Sequence, residues 1–102
     1  MFQPLDGPAV HGTITLTTST VQLFKVGGSP LTDRNVITIQ PQDGAVRLYF
    51  GDGIATPSAA TVLAQGFLLG KNNLYSFEAS DKQQVWLLSN SGSVIINIAE
   101  RA

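Results

Sequence analysis

The sequence predicts an all-β domain, an antiparallel β-sandwich or jelly-roll of about seven to eight short strands. Three observations carry that expectation. Short alternating or β-branched runs recur at roughly ten-residue spacing. Clusters of Gly, Asp, Asn and Pro separate them, and helix signals are nearly absent.

Thr13-Ile14-Thr15-Leu16-Thr17 alternates Thr with aliphatics, and Val21-Gln22-Leu23-Phe24 follows, so these read as two strands or one bent strand. Gly27-Gly28-Ser29-Pro30 then breaks the chain, because Gly opens positive φ and Pro removes a ladder donor. The next two runs are Asn35-Val36-Ile37-Thr38-Ile39-Gln40 and Ala45-Val46-Arg47-Leu48-Tyr49-Phe50, joined by Pro41-Gln42-Asp43-Gly44. Asp-Gly between two β-rich runs is a strong hairpin signal, so the pair is expected to form one. In its second strand Val46, Leu48 and Phe50 share the face expected to meet the core.

Residues 54–66 read as an irregular loop followed by a strand through Thr61-Val62-Leu63. The alternative is a short helix from Ser58 to Gln65, started by Thr56-Pro57 and stopped at Gly66. The loop is favoured because a lone helix would have to cover a sheet with only Val62, Leu63 and alanines. Three further strands are expected at Leu74-Tyr75-Ser76-Phe77, Val85-Trp86-Leu87-Leu88 and Ser93 to Ile98, the last two joined as a hairpin through Asn90-Ser91-Gly92. Residues 1–12 hold two prolines and little periodicity, and read as an extended N-terminal arm. Residues 13–102 read as a single sandwich domain.

Composition narrows the function. The 102 residues contain no cysteine and one histidine, which removes thiol nucleophiles and Cys/His zinc sites. Six Lys and Arg stand against seven Asp and Glu, so no basic footprint for nucleic acid is present. No apolar run approaches the roughly 20 residues that span a bilayer, and the first eight residues lack the features of a secretory signal. His11 has no Ser or carboxylate pattern around it, and Asp33, Asp43, Asp52 and Asp81 all fall in turns that Asp favours for local hydrogen bonding. No enzymatic activity, metal or cofactor is therefore expected.

The charged fraction is 13%, about half the usual value. Val85 to Leu88 is apolar on both faces, as are Leu74 to Phe77 and Val94 to Ile98. One face must be the core, and the other is a second core layer or a surface for a partner. Together these features point to an obligate homo-oligomer or larger assembly. Trp86, Tyr75, Phe77, Tyr49 and Phe50 would make a sugar-stacking platform only if several faced outward together; the core accounts for most such residues.

The order of motifs resembles small β-sandwich structural proteins of tailed bacteriophages. The resemblance covers roughly residues 34–100: Arg34 before a β-rich strand, Val46-Arg47-Leu48-Tyr49-Phe50-Gly51, the loop Ala55-Thr56-Pro57-Ser58, Leu63-Ala64-Gln65-Gly66, Leu74-Tyr75, and the segment Val85 to Ile98. It departs at the bulky Trp86-Leu87-Leu88 and at the turn lengthened by Asp81-Lys82-Gln83. The resemblance implies a virion location and a capsid cement or decoration protein. Such a protein binds the outer shell and bridges neighbouring subunits of the major capsid protein or other virion proteins. Phe2, Leu5 and Val10 would be apolar anchors of the arm, with Tyr49 and Trp86 as further partner-binding candidates. The alternative is a tail, neck or fibre-associated component, or a carbohydrate-binding adhesion module with Trp86 and Tyr75 exposed beside polar loops.

Overall fold

The computed structural model describes residues 7–102. Among the described residues, eight strands form two four-stranded antiparallel sheets, and one short helix connects two neighbouring strands of the second sheet. The strands are β1 (Ala9–Leu16), β2 (Gln22–Leu23), β3 (Val36–Pro41), β4 (Val46–Phe50), β5 (Phe67–Leu69), β6 (Tyr75–Glu78), β7 (Val85–Ser89) and β8 (Val94–Arg101), with α1 at Ala59–Gln65 between β4 and β5. One sheet has the order β1-β8-β3-β6 and the other β2-β7-β4-β5. The chain is a β-sandwich, as the spacing of its strands predicts.

Alternation along each strand builds the core. Val94, Ile96 and Ile98 of β8, with Ile37 and Ile39 of β3, point inward from one sheet. Val46 and Leu48 of β4, with Val85 and Leu87 of β7, face them from the other. Burying side chains of this size stabilises by about 1.5–3 kcal/mol each.

Neither expected hairpin forms. β3 and β4 belong to different sheets, and so do β7 and β8. The turn between β3 and β4 is an arch because each arm stays bonded to its own sheet. Gln42 N–H donates to Ile95 O at 2.9 Å and the Asp43 carboxylate accepts from Ile95 N at 2.9 Å, while Ala45 O accepts from Asn90 N on the opposite sheet. Gly44 does not take the left-handed conformation of a tight hairpin turn. It is there for close approach, since a Cβ at this position would lie 2.7 Å from Val94 Cγ2.

The N-terminal boundary also moves. β1 begins at Ala9 rather than Thr13, and Val10 pairs with Glu100 instead of extending on a free arm. Ala102 N–H donating to Pro8 O continues the same ladder. Pro8, one of the two prolines that suggested an arm, directly precedes a continuous strand whose partner lies at the far end of the chain.

The stretch read as a loop contains the helix α1. Ser58, not Thr56, is its N-cap, with the hydroxyl accepting from Thr61 N at 3.1 Å. The objection that the helix has too little apolar surface fails because the sheet supplies the bulk. α1 packs on β4 and β7, burying Val62 alone of its residues, while Trp86 and Leu88 on the outer face of β7 are both buried. The two-sided apolar character of β7 is thus a second core layer. Arg47 on β4 latches the end of the helix, donating to Gly66 O at 3.2 Å and to Asn90 Oδ1 at 3.0 Å.

Candidate functional site

Two regions of the sandwich differ in how they end the core. At the end where β3 starts and β8 finishes, Arg34 and Glu100 are buried and paired, Nη1 to Oε2, at 2.7 Å. Glu100 stands on β8 in phase with Ile96 and Ile98, where alternation places a core residue. Its carboxylate also accepts from Val26 N at 2.9 Å and Leu31 N at 3.2 Å. Arg34 donates to Ala79 O, Phe24 O, Ser80 O and Gln83 O as well. These bonds engage all three guanidinium nitrogens, so a buried charge is fully used to tie the β2–β3 and β6–β7 connections to β8. This is a structural plug, not a reactive centre.

The side edge formed by β5 and β6 is left open. Phe67 on β5, Phe50 at the end of β4 and Phe77 on β6 make a row across both sheets, with ring centroids 6.2 Å apart at each step and edge-on geometry. Tyr75 extends the row by stacking on Phe77 at 6.5 Å, its hydroxyl accepting from Gly70 N at 2.8 Å. Phe67 is 63% exposed and Phe50 36% exposed, although both stand on the inward-facing register of their strands. Phe50 is thus only partly in the core face expected for it. An aromatic row of this kind offers a partner apolar area and ring edges, a non-directional attraction suited to docking rather than to catalysis.

Among the described residues, the sequence-predicted site residues Tyr49 and Trp86 are cross-strand neighbours, and Val10 lies apart from them in the other sheet. Phe2 and Leu5 lie outside the described residues. Val10 sits within β1, half-buried. Trp86 is 9% exposed, with its indole edge against Gly51, where a Cβ would come within 2.8 Å of Nε1. That nitrogen and Gln84 Oε1 are buried side-chain atoms without a protein partner among the described residues. Tyr49 is half-buried beside Trp86 on the outer face of its sheet. Tyr75 belongs to the other sheet, so no Trp86–Tyr75 platform exists. Phe67 was missed by the sequence reading, although Phe67-Leu68-Leu69, uncharged and bracketed by Gly66 and Gly70, marks it.

The turn aspartates accept from backbone N–H groups, Asp52 from near neighbours and Asp43 and Asp81 from residues distant in sequence. Asp52 Oδ1 accepts from Ile54 N and Ala55 N, and these backbone donors hold its carboxyl below the usual carboxylate range. Asp81 accepts from Asp33 N at 3.3 Å. Among the described residues no three His, Asp or Glu side chains come together as a metal site would require.

No family model matches the sequence, and no curated protein does. Among solved structures, one described as a Bacillus endospore appendage, from a novel family of disulfide-linked pili, aligns over 94% of this chain and 90% of its own at 8% identity and a TM-score of 0.37. That level of likeness bears on neither family nor function.

Proposed function

We propose that this chain is a structural subunit of a tailed-bacteriophage virion, a cement or decoration protein that docks on the outer shell and bridges neighbouring capsid subunits. The observation that carries the reading is the open Phe67–Phe50–Phe77 row at the β5/β6 edge. The motif order over residues 34–100 supplies the virion context. Its partners are the major capsid protein or other virion proteins, and it acts without catalysis or cofactor.

The mechanism is linkage. A subunit that buries this row only on the assembled lattice stabilises that lattice over its precursor by mass action. Covering the exposed part of one phenylalanine contributes about 1–2 kcal/mol. Repetition over every copy makes so small a contribution decisive for the shell.

The test is the copy number of the chain, by quantitative mass spectrometry, in purified virions whose genome encodes it. A number comparable with that of the major shell protein is expected. A number far below it moves the chain to the neck or tail and overturns the cement role, and absence from the particle overturns the virion reading.

A further inference from the structure

We propose that β1 is a strand-addition edge through which two copies of this chain pair, antiparallel about a two-fold axis at Gly12, to form one continuous eight-stranded sheet. This deepens the functional reading above by naming how the subunit self-associates.

The phase of the β1–β8 ladder comes from one bond. Ala102 N donates to Pro8 O across the pair that precedes Ala9↔Arg101, so Pro8, Val10, Gly12, Ile14 and Leu16 turn their main-chain groups toward β8. Ala9, His11, Thr13 and Thr15 turn theirs the other way, to the open edge. The Gln22 side chain, donating to Thr15 O at 2.8 Å from outside the ladder, agrees with that phase. Among the described residues, the N–H and C=O groups of Ala9, His11 and Thr13 and the N–H of Thr15 then lack a protein partner. Their side chains are all exposed.

An edge of this length is normally blunted by Lys, Pro, a bulge or brevity. The other edges are short: β2 has two residues, β5 three, and β6 four including Glu78. β1 has eight residues, with neither Pro nor a Lys, Arg, Asp or Glu among them.

The occupant that fits is a second β1. In an antiparallel register centred on Gly12, Ala9 meets Thr15 of the partner and His11 meets Thr13 of the partner. Every outward-facing position of one copy finds an outward-facing position of the other, which is the self-complementarity an isologous interface needs. Gly12 then pairs with itself at a non-hydrogen-bonded position, where strands approach to about 4.5 Å between Cα atoms. No like charges are opposed.

Sedimentation equilibrium of the full chain tests the pairing. The wild type is expected to sediment as a dimer, and H11K/T13K, which sets lysines opposite one another across the axis, as a monomer that keeps the wild-type far-UV circular dichroism and a cooperative melt. S76K, on the same sheet but away from β1, should remain dimeric. The second variant, H11C/T13C, should oxidise to a covalent dimer, because hydrogen-bonded pairs sit about 5.5 Å apart at Cα, within disulfide reach, and the chain has no other cysteine. A wild type that stays monomeric, a dimer that survives H11K/T13K, or no cross-link in H11C/T13C overturns the proposal. The readout is the size of the purified chain, so its failure leaves the shell reading standing, and a low virion copy number leaves the pairing standing.

Discussion

The Arg34–Glu100 end and the β5/β6 edge close the same core by opposite means. At the first, a buried ion pair and backbone donors satisfy one another, and Arg34 and Glu100 are 1% and 0% exposed. At the second, aromatic rings stand on inward-facing positions and yet meet solvent. The difference teaches which surface is spent on the fold and which is left for something else. A polar hub that is fully bonded gains nothing from a partner, whereas an open apolar row does.

Variants break this comparison in a graded way. The largest effects are expected at the hub. Glu100→Ala strands the buried Arg34 guanidinium and should cost about 3–5 kcal/mol of folding stability, read by urea denaturation. Trp86→Ala should cost a similar amount, about 3–5 kcal/mol, by emptying the layer beneath α1. Trp86→Phe sharpens the point. It removes an indole N–H that has no acceptor among the described residues, so its loss should stay below about 1.5 kcal/mol. Gly44→Ala presses on Val94 at the arch and should cost about 1–3 kcal/mol.

At the open edge the prediction reverses. Phe67→Ser should change stability by no more than about 0.5 kcal/mol, since the ring is mostly in water, while weakening shell binding about tenfold or more. The smallest effect belongs to Asp52. Its carboxyl is held low by Ile54 N and Ala55 N, so the stabilisation it gives is present above the ordinary carboxylate range and lost as pH falls through the lowered value. Asp52→Asn should therefore flatten the acid limb of the stability profile slightly, measured by thermal melts across acid pH.

Strand positions were legible in the sequence because alternation is a local property. Val46, Leu48, Val94, Ile96 and Ile98 all face the core that period-two patterning assigns them. Pairing was not legible. The same alternation serves a strand whether its neighbour is local, as Asp43-Gly44 suggested, or distant, as β8 is to β3. Helix α1 was obscured because its cover depends on Trp86 and Leu88, more than twenty residues away along the chain. Glu100 was invisible as a core residue, since only the fold brings Arg34 to it. Phe67 lay within a plainly apolar run, but its place beside Phe50 and Phe77 required the two sheets to be stacked.

If, as proposed, the aromatic edge docks on the shell and adds little to the fold, binding and stability separate in Phe67→Ser. The most direct measurement is the binding of purified wild-type chain and Phe67→Ser to virions stripped of the protein, with melting temperatures recorded on the same samples. Equal melting and at least a tenfold loss of binding are expected, a factor equivalent to about 1.4 kcal/mol. Equal binding, or a lost fold in Phe67→Ser, would contradict the proposal.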